Sequence, residues 1–241
     1  MEWSEEGIVL VTRRHGEASV ILDLFTRGRG RHLGLVRGGR SSRLRSALQP
    51  GNTVIATWRA RLDEHLGTYT VEPAVQRAAM VIDHGLKLSG LSTLTAMAQL
   101  IPEREAHERL FDAFQIVLDA FDDDAVWPAL LVRWELGLLD ELGFGLDLGA
   151  CAATGATEDL VYVSPKSGRA VSRGAGAAYA DKLMRLPGFL RPGSGDRAGP
   201  DEIVAGFALT GFFLDRHVFA ARGMKFPEAR ERLIAALAKA Q

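Results

Sequence analysis

Val54-Ile55-Ala56-Thr57-Trp58-Arg59-Ala60-Arg61-Leu62 alternates, with Val54, Ala56, Trp58, Ala60 and Leu62 on one side and Ile55, Thr57, Arg59 and Arg61 on the other. A period of two belongs to a half-buried β-strand. The turn signal Gln49-Pro50-Gly51-Asn52 marks where this strand begins. Working outward, residues 8–12, 19–26, 31–37 and 69–72 read as four more strands, the last ended by Pro73. The turns Arg13-Arg14-His15-Gly16 and Thr26-Arg27-Gly28-Arg29-Gly30 separate the first three. Five short strands in about 75 residues, with no helix of ordinary length between them, predict a small barrel of the OB-fold type.

After residue 82 the period becomes helical. Helices are expected over 86–100, 104–121, 127–142, 177–186, 202–219 and 227–239, packed as a bundle. Pro128 suits the first turn of the third, and Gly143 suits its stop. Residues 146–175 interrupt the pattern with a strand-like 160–163 and the turn Ser164-Pro165-Lys166-Ser167-Gly168, which reads as a small inserted hairpin. Residues 191–200 read as a flexible loop. The expected class is α+β with two domains: a barrel over 1–80 and a helical domain over 81–241 carrying the 146–175 insert.

Seven arginines fall between positions 27 and 45 with no acidic residue among them: Arg27, Arg29, Arg31, Arg37, Arg40, Arg43 and Arg45. The whole chain has a formal net charge of -1, so this is a local concentration of charge. Residues 1–82 hold 12 Lys+Arg and 8 Asp+Glu, while 83–241 hold 17 and 22. A basic first part suits a polyanion, and an acidic second part suits proteins. Arginine pairs with phosphate through two N–H groups and stacks on bases, so the cluster is the candidate nucleic-acid surface, extended by Arg59 and Arg61. Arg13 and Arg14, close to Glu17 and Glu5-Glu6, read as a solvated turn. Trp58 and Tyr69 lie on apolar strand faces and read as core, which leaves binding led by charge with little sequence preference.

Other chemistry finds little support. There is no G-x-x-x-x-G-K-[ST] phosphate loop and no H-E-x-x-H; His107-Glu108 lacks the second histidine. Asp122-Asp123-Asp124 reads as an acidic break between helices, and no motif supplies a base for Cys151. No enzymatic activity is expected. One cysteine excludes an internal disulfide. The N-terminus is acidic and lacks an apolar run, and no stretch reads as a membrane span, so a cytoplasmic protein is expected, and its candidate nucleic-acid surface makes it nucleoid-associated in that expectation.

Further motifs occur in a fixed order. These are Gly7-Ile8-Val9-Leu10, Gly16-Glu17-Ala18, Thr26 followed by Gly30, and Gly38-Gly39-Arg40-Ser41-Ser42-Arg43. Then come Leu48-Gln49-Pro50-Gly51, His65-Leu66-Gly67-Thr68-Tyr69, Leu139-Asp140-Glu141-Leu142-Gly143-Phe144 and Ser164-Pro165-Lys166-Ser167-Gly168-Arg169-Ala170. In this order and spacing the chain resembles the bacterial RecO family of recombination mediators over nearly its full length. The resemblance implies an N-terminal OB-fold and a helical C-terminal domain. It implies binding of single- and double-stranded DNA and annealing of complementary strands. It also implies work with RecR, and in many bacteria RecF, to load RecA onto DNA coated by single-strand binding protein (SSB). Contact with the acidic, apolar C-terminal tail of SSB is implied too, and Arg133, Arg216 and Arg222 are candidates for the basic rim of its groove.

Many members of that family have a four-cysteine zinc module in the segment matching 146–175. Here Cys151 stands alone, Thr154 occupies the partner position of the first C-x-x-C pair, and 170–175 holds no cysteine. Structural zinc takes four S or N ligands, and this segment has no histidine. The expectation is therefore no zinc and no other cofactor, with the hairpin held by packing of Val161, Tyr162 and Val163. A rival reading is an interaction adaptor whose barrel docks a protein and binds no DNA. A third, a nuclease built on Asp122-Asp123-Asp124, is weaker still.

Overall fold

The computed structural model describes residues 1–195 and 198–239. Asp196 and Arg197, part of the loop expected over 191–200, lie outside the described residues.

Five strands form the N-terminal sheet: β1 (Glu2–His15), β2 (Ser19–Thr26), β3 (Gly30–Val36), β4 (Thr53–Arg59) and β5 (Thr68–Val75). β1 is far longer than the predicted 8–12 because it serves two neighbours. Residues 2–8 pair with β4 and residues 7–15 pair with β2, with a register shift between Val9 and Val11 where the strand bends. A parallel contact between β3 and β5 completes a closed barrel in the order β1-β2-β3-β5-β4. The alternation in 54–59 is realised: Val54, Ala56 and Trp58 are buried, while Ile55 and Arg59 are exposed. The strand stops at Arg59, so the predicted continuation to Leu62 is corrected; Arg61 and Leu62 lie in an exposed loop. Pro73 does not end β5. It pairs with Val54 inside the ladder, and Val75 pairs with Thr53.

Trp58 fills the barrel interior with Val9, Leu22, Leu24, Val54 and Tyr69, and Trp3 stacks on it at 5.9 Å. Burying such aromatics contributes about 1.5–3 kcal/mol each.

Two short helices not predicted lie in the first part of the chain: α1 (Ser42–Ala47), whose N-cap Ser41 hydroxyl accepts from the Leu44 amide, and α2 (Arg77–Val81). α3 (Gly85–Ala98) and α4 (Glu108–Asp119) follow. The expected helix start at 104 is corrected to Glu108. Arg104 adopts φ 64°, outside helical space, and its amide donates to Arg31 O on the barrel. Gly30 allows this close approach: a Cβ there would sit 1.7 Å from Glu105 O, and its φ is 63°. Phe25 of β2 meets Phe111 and Phe114 of α4 edge to face. These contacts make Met1–Leu118 one compact unit, so the expected six-helix bundle is divided, and α3 and most of α4 belong with the barrel.

The second compact unit, Asp119–Gln241, is built on α5 (Trp127–Glu141), α7 (Pro200–Leu214) and α8 (Glu228–Lys239). A π-helical turn, Asp215–Phe219, continues α7. The insert is a three-stranded sheet in the order β7-β6-β8, from β6 (Leu160–Val163), β7 (Ala170–Ser172) and β8 (Met184–Arg185). The helix predicted over 177–186 is therefore corrected. After the four-residue α6 (Arg173–Gly176), residues 177–182 form a 3-10 turn broken at Tyr179, and Arg185 then pairs with Tyr162. Helical spacing over so short a stretch cannot outweigh an open sheet edge. Among the described residues one helical run, Pro200–Arg222, is long and apolar enough to cross a membrane. Half of its most apolar window is buried, with Phe207, Leu209, Phe213 and Leu214 in the core of this unit.

Candidate nucleic-acid interface

Seven arginines close together in sequence separate into two sets in space. Acids distant in sequence occupy the first set. Arg27 donates through Nε and Nη2 to the two carboxylate oxygens of Asp112, at 2.9 and 3.1 Å, and its Nη1 lies 2.5 Å from Glu108. The hydrogen bonds from Arg27 hold the Asp112 carboxyl below its ordinary range. Arg29 lies 3.5 Å from Glu5 and over the Trp3 ring. Arg31 is a structural clasp, 13% exposed. It donates to Asp23 and Glu103 and to the carbonyls of Gln99 and Ile101, at 2.8 and 2.9 Å. Arg59 pairs with Glu2 at 2.8 Å.

The second set stays open. Arg37, Arg40, Arg43 and Arg45 are exposed and make no ion pair among the described residues. Arg40 donates to the Glu17 carbonyl, which fixes it at the tip of the β1–β2 hairpin. Arg43 and Arg45 project from α1, which Asn52 braces by donating to the carbonyls of Ser46 and Ala47. Arg14, read from the sequence as part of a solvated turn, lies instead on β1 and is likewise exposed, with no ion pair among the described residues. Of the acids close to it in sequence, Glu5 is engaged by Arg29. Arg14 pairs in register with Val20 and shares a cavity with Arg40 and Arg45. Hairpin register was the signal that could have found it: a strand continuing to His15 keeps Arg14 on β1, before the turn. Arg61 is exposed and without an ion pair among the described residues, in the loop beyond β4.

Two buried titratable groups were not singled out by sequence reasoning: Asp23, on the face of β2 opposite Leu22 and Leu24, and His32, packed among the barrel aromatics. Burial pushes the Asp23 carboxyl up to about 6, against the pull of Arg31. Burial also pushes His32 down to about 4, helped by the charge of Arg104. His32 sits edge-on to Trp3 and Trp58, and its Nδ1 lies 3.2 Å from the Tyr69 hydroxyl, whose own pKa burial raises. Trp58 and Tyr69 are core, as read from the sequence.

In the second unit the three rim candidates serve different segments. Arg133 donates to the carbonyls of Phe189 and Gly195, Arg216 donates to the carbonyl of Pro165, and Arg222 is exposed beside the left-handed Gly223. The insert does not fit zinc. Cys151 is buried and its Sγ accepts hydrogen bonds from the Ser172 amide and hydroxyl, at 3.3 and 3.4 Å. With Thr154 adding to Ser172, these bonds bring the thiol down to about 6. Among the described residues no three of His, Cys, Asp and Glu group as a metal site. Leu160, Val163, Ala170 and Val171 are buried, while Val161 and Tyr162 are half-buried.

Comparison with known proteins matches this architecture. The family model for the recombination protein O N terminal covers residues 1–76, and that for the C terminal covers 84–224. The DNA repair protein RecO of Mesorhizobium japonicum is 54% identical over 239 residues, spanning 99% of this chain and 94% of that protein. The RecO of Rhodopseudomonas palustris strain HaA2 is 55% identical over 241 residues, spanning 99% and 97%. That of Methylorubrum extorquens strain PA1 is 54% identical over 241 residues, spanning 98% of each. With both family models matched in order and identity above half along the whole length, this chain belongs to the RecO family of DNA repair and recombination proteins.

Proposed function

We propose that this protein is a non-enzymatic recombination mediator. Its closed five-stranded sheet acts as an OB-fold that holds single- and double-stranded DNA by phosphate contacts and anneals complementary strands. The observation that carries this reading is the open arginine set: Arg14, Arg37, Arg40, Arg43 and Arg45 stand exposed on one hairpin tip and the following turn and helix, while neighbouring arginines are held by acids. Five arginines without an ion pair among the described residues suit a polyanion, and placing two strands on such a surface offsets their mutual repulsion. With RecR, the protein would help load RecA onto SSB-coated DNA; RecF is a further candidate partner. The helical unit would receive the acidic SSB tail, with Arg222 the least engaged of its three candidate arginines. The reading needs no cofactor and places the protein with the nucleoid.

The test is annealing of complementary strands coated with cognate SSB, comparing the wild type with Arg40→Glu/Arg43→Glu/Arg45→Glu. Loss of annealing in the folded triple variant supports the mediator. Equal annealing by both removes this surface from DNA binding. Absence of DNA affinity in the wild type favours the adaptor, in which the barrel docks a protein.

A further inference from the structure

Three members of the open arginine set do more than share a surface. Arg14, Arg40 and Arg45 line one concave site of about 250 Å³ in the barrel unit. Each comes from a different element: the end of β1, the turn after β3, and α1. Hydrogen bonds hold these elements in place. The Arg40 amide donates to Ala18 O at 3.2 Å, which pins the turn to the hairpin, and Asn52, whose carbonyl accepts from the Val9 amide of β1, donates its side-chain amide to the carbonyls of Ser46 and Ala47 in α1. Gly39 lets the turn descend onto β2, since a Cβ there would stand 2.6 Å from Val20 Cγ2. Val20 and Leu48 floor the cavity, and Thr12 and Gln49 add neutral hydrogen-bonding groups to its wall. No acidic residue lines it.

The charge and shape select a ligand class. An internal phosphodiester carries one negative charge and lies along a groove with neighbours on both sides. Three arginines lining one concave site exceed that need. A phosphomonoester carries about -1.5 to -2 at neutral pH and presents three acceptor oxygens at the end of a chain. Guanidinium forks match those oxygens in geometry as well as charge. We propose that this cavity receives the terminal phosphate of a nucleic-acid strand, so that the barrel engages strand ends in preference to strand interiors. The inference rests on the DNA-binding reading above and adds to it a specific subsite.

The experiment measures binding of fluorescent dT oligomers to the full chain by anisotropy. One pair carries the label at the 3′ end and differs only in a 5′-phosphate or 5′-hydroxyl. The second pair is labelled at the 5′ end and differs at the 3′ terminus. One phosphorylated end is expected to bind roughly tenfold more tightly than its hydroxyl counterpart. Arg14→Gln and Arg45→Gln each bring that ratio close to one while retaining weaker binding of the hydroxyl oligomer. Arg232→Gln, in the other compact unit and paired with Glu228, keeps the ratio. Equal affinity for phosphate and hydroxyl ends, with DNA binding intact, overturns the strand-end site and leaves the mediator reading standing. A ratio that survives both Arg14→Gln and Arg45→Gln also overturns it. Inorganic phosphate at 1 mM abolishing the ratio would mark a site for free phosphate and overturn the assignment to a strand. No binding of any oligomer overturns both readings.

Discussion

Arg31 grips Asp23 from the neighbouring strand, its Nε 3.1 and 3.0 Å from the two carboxylate oxygens, with Asp23 sealed inside the fold. The same guanidinium holds the carbonyls of Gln99 and Ile101, so one side chain joins β2, β3 and the segment after α3. Arg31→Met would leave a buried carboxylate and two carbonyls without their donor. It is expected to cost about 3–5 kcal/mol of stability, read by chemical denaturation. Arg45→Gln, on the open surface, should stay within about 0.5 kcal/mol of wild type. Arg31→Met lowering DNA affinity without lowering stability would return Arg31 to the DNA surface.

Stability should depend on pH in a way that only variants reveal. Asp23 has its pKa raised from 3.8 to about 6, so the folded chain keeps a proton that the unfolded chain has lost. Its contribution is fullest below about pH 4 and is lost as pH rises through 6. His32 is lowered from 6.5 to about 4, so the unfolded chain takes a proton that the folded chain refuses. Its contribution is fullest above 6.5 and is lost as pH falls through 4. Each effect amounts to about 3 kcal/mol, and between pH 4 and 6 they oppose one another. Asp23→Asn should therefore lose stability on acidification across this window, while His32→Gln should gain it. Parallel pH profiles for the two variants would refute the compensation.

The barrel was legible because its pattern is local. Val54, Ala56 and Trp58 declare a buried face by alternation, and Gln49-Pro50-Gly51-Asn52 declares the turn before it. The fate of the arginines was not legible. Arg27 meets Asp112 and Glu108 some 80 positions later, and Arg31 meets Gln99 and Ile101 about 70 later, so a local count of acids misses both. The open members, Arg37 to Arg45, sit on a turn and a short helix, where the lack of nearby acids in sequence matches their lack of an ion pair among the described residues. The 177–186 segment differed from its expected helix because of a non-local partner, as with Arg27 and Arg31. Its apolar spacing suits a helix, but strand pairing with Tyr162 and Val163 is a non-local alternative that spacing cannot register.

The division of arginines into held and open sets predicts distinct salt dependences. If the five open residues meet phosphates of a single strand, the slope of log K against log salt should be about -3.5. Neutralising Arg37 or Arg43 to Gln should reduce its magnitude by about 0.7 each. Arg27→Gln should leave the slope near the wild-type value, since Asp112 and Glu108 already hold that charge. Equal losses from all three would show that the acids release Arg27 on binding.

Zinc should be dispensable to the insert. The single thiol Cys151 is engaged by Ser172, and the sheet rests on Leu160, Val163 and Ala170. Treatment with a chelator is expected to leave the unfolding temperature unchanged, and metal analysis of purified protein to find no stoichiometric zinc. One tightly held zinc per chain would refute this.

Within the second unit, Glu135 and Arg230 form a buried pair that fixes α8 to α5. Glu135 is fully buried, and Arg230 reaches it through Nε at 2.7 Å and Nη2 at 2.9 Å. The Thr210 hydroxyl donates to the same carboxylate, Arg230 also donates to Phe207 O at 2.8 Å, and the guanidinium lies over the rings of Phe226 and Phe207. Removing one partner strands the other charge away from water, so Arg230→Ala is expected to cost about 3–5 kcal/mol. The pair itself need not add net stability, because desolvating two charges offsets most of their attraction. Glu135→Leu/Arg230→Met, which replaces both by apolar groups of similar size, should recover most of that loss. A double-mutant cycle on unfolding free energies checks this: the double variant should be markedly more stable than the sum of the single changes. Additive losses would mean that Arg230 acts through Phe207, Thr210 and Phe226, with its charge pairing to Glu135 contributing little.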